Sequence, residues 1–329
     1  MNQVQAEVRA ARQAVGVLTK FPRALLSVQG ADRVKFLHNV VTHDIKGLPL
    51  GQGRPACLLD RQGKIRAAFL VHAQSDALVL EMDPLHLQAA LQGLQQYLLT
   101  EAVELKEVTS HYRIMALHGP LAQELLSNLW PDTVLACVPL SHGKGPQGTG
   151  VHWIVRWDLL RVPGYHLWVD PESEKEILEK LLRQGEATGL KPLTQEAFEV
   201  LRIEAGVPWP GKEIDETVIL NELGTEEMVS YTKGCFVGQE IVARIKYRAH
   251  PPRQLMGFLM GATEVPSPRS PIESESKEVG VITSACFSVT LNRVIALGFL
   301  KVGVSATDLL VRSLRGSLQA TVTPLPFVS

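Results

Sequence analysis

Residues 231–254 read YTKGCFVGQEIVARIKYRAHPPRQ, and the chain changes character within them. A glycine-bracketed turn around Cys235 runs into GQEIVARI, whose apolar spacing predicts a helix. Pro251 and Pro252 must end it, because proline lacks the N–H that a helix interior needs and restricts the residue before it. Beyond them QLMGFLMG, EVGVITSACFS, VIALGFLKVG and DLLVRSLRGSLQATV read as strands separated by turns. Residues 251–329 are therefore expected to form a small all-β domain, a barrel. The proline- and serine-rich insert TEVPSPRSPIESESKE is expected to be a mobile loop.

Working back toward the N-terminus, residues 1–250 mix elements. A helix is expected over about residues 3–15, then a strand at ALLSVQG. ADRVKFLHNVV places Val34, Leu37, Val40 and Val41 on one helical face. RPACLLD, IRAAFLVHA and ALVLEMD predict three strands, and Pro84 suits the first turn of the helix that follows. HYRIMALHG and YHLWVD predict further strands, with helices near 120–129 and 172–184, while SHGKGPQGTG reads as a loop. Hairpin-linked strands without strict βαβ alternation make the class α+β, with residues 1–250 forming one domain of one or two lobes.

The 329 residues are 45% hydrophobic and 20% charged, with 33 basic and 34 acidic side chains giving a net charge of −1. That balance disfavours a chain-wide attraction to nucleic acid or anionic membrane. No apolar stretch reaches the roughly 20 residues of a membrane span. The four cysteines, Cys57, Cys137, Cys235 and Cys286, are dispersed without a CxxC pair, which points to reduced thiols and a cytoplasmic setting.

Several patterns compete as sites. GVPWPGK (206–212) fits GxxxxGK, but Pro208 and Pro210 have no N–H to cradle a phosphate, and Glu213 stands where a hydroxyl should reach magnesium. His38 and His43 lie about 140° apart on a regular helix and cannot share one ion, and nothing else suggests a metal site. Arg202 and Glu204 precede a Gly- and Pro-rich turn, where side chains can face a cavity. Glu204 could there accept two parallel hydrogen bonds, or it could pair with a nearby arginine. From Lys233 to Arg253 the basic residues Lys233, Arg244, Lys246, Arg248 and Arg253 face one acid, Glu240. Cations and a helix start favour the Cys235 thiolate, making it a candidate functional thiol; the alternative is a small packed hydrophobe.

Taken together these segments resemble the folate-binding YgfZ family, relatives of the glycine-cleavage T-protein (aminomethyltransferase). KGCFVGQEIVAR is similar to the motif of YgfZ-like proteins. LRIEAG, GKEIDET, VGVITSACFSVTLNRVIALGF and VKFLHNVVTHDIKGLPLGQGRPACLLDRQGKI resemble stretches shared with T-proteins. The resemblance implies a folate-binding domain of ferredoxin-like lobes with a C-terminal β-barrel, and tetrahydrofolate or a derivative as cofactor. It implies that Glu204 holds the pterin edge, that Arg202, Lys233 and Arg244 meet folate carboxylates or fix the pocket, and that Asn39 lines it. One departure stands out. T-proteins carry paired aspartates in a strand reading roughly GGILDDLIV, where this chain has GKIRAAFLV, with Ala67 and Ala68 at those positions. A methyl group cannot activate a folate nitrogen. The expectation is a non-enzymatic factor supporting iron–sulfur cluster assembly or repair, with iron–sulfur proteins or assembly factors as partners and an indirect link to tRNA modification. The alternatives are a folate-dependent aminomethyltransferase, and an interaction module contacting tRNA or protein through residues 244–253.

Overall fold

The computed structural model describes residues 2–131, 133, 138–305, 308–313 and 315–328; Cys137 lies outside them. Three hairpin-built layers organise the molecule. The first is a five-stranded antiparallel sheet in the order Gly53–Leu59, Ile65–Ala73, Ala77–Met82, Ala24–Gln29, Glu104–Glu107. Its Leu26, Leu58, Ala67, Phe69 and Leu80 pack with Leu37 of helix Arg33–Val40 and Leu87 and Ala90 of helix Pro84–Gln95. Pro84 opens its helix as expected, and Asp83 caps it by accepting from Leu85 N at 3.0 Å.

The second sheet has six strands: Lys191–Pro192, Gly16–Leu18, Arg113–His118, Gly164–Val169, Val151–Arg156 and His142–Lys144. Helices Ala122–Leu129 and Glu174–Gly185 contribute Leu125, Ile177 and Leu181 to one core with this sheet's Met115, Leu117 and Leu167. Leu25, Cys57, Ile65 and Val79 of the first sheet share a further core with Leu18, Ala116, Val155 and Trp168 of the second. Burying both faces of each sheet requires nearly unbroken apolar runs. The strands Ala77–Met82 and Gly164–Val169 are accordingly buried at every position.

The strands Arg253–Met260, Pro271–Ser274, Lys277–Ser288, Arg293–Lys301, Leu309–Ser313 and Gly316–Thr323 close into a barrel, which removes free sheet edges. Helix Gln239–Arg248 ends ahead of the two prolines. Two local expectations are corrected. The insert 263–278 is not wholly a loop: Pro271–Ser274 is a barrel strand, because Ile272, though set among polar residues, is fully buried and pairs with Val311. In SHGKGPQGTG, His142–Lys144 forms a short edge strand on Trp153–Val155. Among the described residues, no helix is long and apolar enough to cross a membrane.

Candidate functional site

The strand Ile65–Ala73 carries a bulge where Leu58 pairs with Ala67 but Leu59 pairs with Ile65. Alternation from there sends the two alanines opposite ways. Ala67 is fully buried in the core beneath the helices, while Ala68 lines a cavity of about 250 Å³ between the sheets. Of the two alanines, only this one faces the cavity.

Arg23, Glu81 and Asp83 line the same cavity, with Trp157 and Asp158 from the turn after Val151–Arg156, and Val207–Pro210 on the other side. Glu81 is buried within an otherwise apolar strand. Its oxygens meet His166 Nδ1 at 2.7 Å and His72 Nε2 at 2.9 Å, and Arg23 Nε lies 3.4 Å away. An ionised carboxylate only accepts, so those two ring nitrogens carry the protons. Burial alone would raise the Glu81 carboxyl, yet His166 and His72 hold it below its ordinary range. Burial pushes the His166 imidazole down against the pull of Glu81. The Arg23 guanidinium lies over Phe21, Trp209 and Trp157, 4.2, 4.9 and 5.2 Å from the ring centroids. The arrangement offers a cavity with tryptophans in its wall and one buried cation and one buried anion side by side.

Two more buried histidines border this network. Burial drives the imidazoles of His118 and His142 down to about 3, so both are neutral in the folded chain near neutral pH. The unfolded chain takes up these protons below about pH 6.5 and the folded chain does not, so stability falls as pH drops from about 6.5 toward 3. The expected slope is about 1.4 kcal/mol per pH unit for each histidine. Urea unfolding between pH 7.5 and 5 measures it, and a flat profile would contradict neutral burial.

The residues expected at the site from sequence do not assemble there. Glu204 is fully buried away from the cavity, accepting from Arg12 Nε (3.2 Å) and Nη2 (3.1 Å), Ser288 Oγ (2.7 Å), Thr290 N (3.1 Å) and Thr290 Oγ1 (2.9 Å). Arg202, also buried, donates to Glu199, Glu213, Val207 O and Ser284 Oγ. Both therefore lock the N-terminal domain to the barrel, and neither has a polar edge left for a pterin. Glu213 extends the lock, accepting from Trp209 N, Thr283 and Ser284. Asn39 is exposed on helix Arg33–Val40 and Arg244 is exposed on helix Gln239–Arg248; neither lines the cavity. Lys233 donates to the carbonyl of His38 and, at 3.4 Å, to that of Cys235, and lies 5.2 Å from the Phe236 ring centroid. Burial lowers its ammonium to about 8. Lys233 thus pins the loop that presents Cys235, which is exposed. The basic run 244–253 is partly consumed: Lys246 pairs with Glu226, and Arg253 pairs with Glu222 and lies over Phe299. Among the described residues, no group of three or more His, Cys, Asp or Glu could hold a metal.

Sequence reasoning missed Arg23, Glu81 and Trp209. A lone acid inside the apolar run ALVLEMD and a tryptophan between two prolines were the available signals.

Comparison with known proteins agrees with this architecture. Residues 1–233 match the GCVT N-terminal domain and residues 253–329 match the glycine cleavage T-protein C-terminal barrel domain. An aminomethyltransferase of Caldanaerobacter subterraneus subsp. tengcongensis is 28% identical, the match covering 90% of this chain and 79% of that one. One from Geobacillus kaustophilus is 27% identical over 99% of this chain and 90% of its own. The crystal structure of glycine cleavage system aminomethyltransferase T from Bartonella henselae aligns with a TM-score of 0.88 at 20% identity, covering 99% of this chain and 89% of that one, which shows a common fold. With both of its domains matched in order, this chain belongs to the glycine-cleavage T-protein family.

Proposed function

We propose that the protein binds tetrahydrofolate between its two open sheets, does not transfer aminomethyl groups, and supports iron–sulfur proteins in the manner of YgfZ-like members, with Cys235 as the working thiol. The observation that carries the reading is the cavity's composition. Aromatic walls and a buried Arg23–Glu81 pair suit a flat heterocycle with a polar edge. Ala68 stands on its wall where T-proteins carry a carboxylate. The cofactor, when bound, would supply a pterin ring and a nitrogen that carries one-carbon groups. Trp209 and Trp157 would stack against it, Glu81 and Arg23 would meet its polar edge, and no side chain at position 68 would take a proton from it. An indirect link to tRNA modification follows from iron–sulfur enzymes as the partners served.

Calorimetry with tetrahydrofolate tests the location. Ala68→Leu puts a bulky branched chain into the cavity and is expected to weaken binding by at least about tenfold, while a folded spectrum persists. Unchanged affinity would place the ligand elsewhere.

A second reading, aminomethyl transfer, is favoured by the names of the relatives and by Asp83. Ala24 pairs with Met82 and Phe69 pairs with Met82, so the same registers set Arg23, Asp83 and Ala68 in one row across three strands. Asp83 lines the cavity with Ala68 and could replace the missing carboxylate. The two readings divide on a reconstituted glycine-cleavage assay. We expect no transfer from the lipoyl carrier to tetrahydrofolate; turnover comparable with that of a genuine T-protein, abolished by Asp83→Asn, would establish the second reading.

A further inference from the structure

Arg23 is a buried ionic group of the cavity whose hydrogen bonding the described residues leave unfinished. Its side chain is 5% exposed. Its charge is balanced by Glu81 at 3.4 Å, but no hydrogen bond among the described residues reaches the guanidinium, and its Nε is buried without an acceptor. The Glu81 oxygens are already engaged by His166 and His72. Aromatic rings at 4.2, 4.9 and 5.2 Å hold the guanidinium and offer it no acceptor oxygen. A buried guanidinium left short of acceptors is costly, and burial lowers its hold on the proton. Arg202 is the internal comparison: fully buried, it donates to four different residues. A fork of donors, held rigid by aromatic faces and lining a cavity, is completed by a ligand that brings acceptors.

We infer that Arg23 is a ligand-binding residue that reads the 4-carbonyl oxygen of the pterin ring, making the cavity selective for 4-oxo over 4-amino pterins. The inference rests on the folate reading above and adds to it the edge and the orientation. A guanidinium can only donate. On the pterin, the 2-amino group, N3–H and N8–H of the reduced ring all donate, so none of them can face it. N1 accepts but sits beside the 2-amino donor. The 4-carbonyl is the exocyclic acceptor, and it shares an edge with N5, where one-carbon groups are carried. Docking that edge on Arg23 brings N5 toward the row that contains Asp83 and Ala68. Replacing the carbonyl by an amino group sets N–H against N–H in a buried site. That mismatch loses the charge-assisted bond and strands both donors.

The test compares folic acid with its 4-amino analogue, aminopterin, by calorimetry on the full-length protein. Wild type is expected to prefer folic acid by about tenfold to a hundredfold. Arg23→Met, which keeps the length of the stem but not the donors, is expected to weaken folic acid and erase the preference. Arg23→Lys keeps the charge without the fork and should retain only part of it. Equal binding of the two pterins by wild type overturns the inference while leaving the folate reading intact. So does a preference that survives in folded Arg23→Met. Failure of wild type to bind either pterin or tetrahydrofolate overturns both. If Arg23→Met does not fold, the wild-type comparison of the two pterins still decides.

Discussion

Glu204→Ala is expected to destabilise the protein by about 3–5 kcal/mol, the range for removing one partner of a buried, hydrogen-bonded charge pair. The carboxylate is fully buried and gathers donors from two distant parts of the chain: Arg12 of the helix Gln3–Gln13, and Ser288 and Thr290 at the turn of a barrel hairpin. Alanine would take the carboxylate acceptor from Arg12, which keeps only the carbonyls of Leu160 and Leu201, and from the hydroxyls of Ser288 and Thr290, and would loosen the barrel from the body it caps. Glu204→Gln preserves shape and one acceptor oxygen but turns the other into a donor facing donors, so its loss should be large as well. The midpoint of urea unfolding measures both. Folded Glu204→Gln should bind tetrahydrofolate as wild type does. This reverses the expectation that Glu204 holds the pterin edge. A loss of affinity with unchanged stability would return Glu204 to the ligand.

Cys235→Ser should leave the fold intact, within about 0.5 kcal/mol, and abolish function in cells. The thiol is exposed on a loop whose position is set by its neighbours, so serine removes little packing. Lys233 anchors the loop to the end of a helix, and Gly234, at φ +100° with nothing near its missing side chain, lets the chain turn outward. Gly238, at φ +79°, lies so close to the carbonyl of Asp60 that a side chain would clash. Serine cannot provide the thiolate that metal or redox chemistry needs. The other described cysteines are controls. Cys57 and Cys286 are buried, and burial pushes both thiols well above their ordinary range, so Cys235 should alkylate first. Iron–sulfur enzyme activities in a deletion strain carrying the serine variant give the decisive measurement. Full restoration would mean that the loop serves packing alone.

Periodicity made the scaffold legible. The apolar runs at 54–60, 65–73 and 77–83 became neighbouring strands, and the paired prolines preceded the barrel. What spacing could not show was which polar groups converge. Glu204 looked like a cavity residue because a Gly- and Pro-rich turn follows it, yet its partners lie 192 and 84 residues away. Arg202 was miscast for the same reason, its partner Ser284 coming from the barrel. Conversely, Arg23 sits inconspicuously before the strand ALLSVQ, and only folding brings it to Glu81 and beneath Trp209. Ala67 and Ala68 were found from sequence, but the bulge that sends one into the core and the other to the cavity was not.

The wall formed by residues 206–210 has a mechanical consequence. It is a span fastened at both abutments, since Glu204 is bolted to Arg12 and the hairpin hydroxyls, and Glu213 to Arg202, Thr283 and Ser284. Such a span cannot swing like a gate unless the barrel detaches. The barrel, remote from the cavity, works as the keystone that keeps it one width.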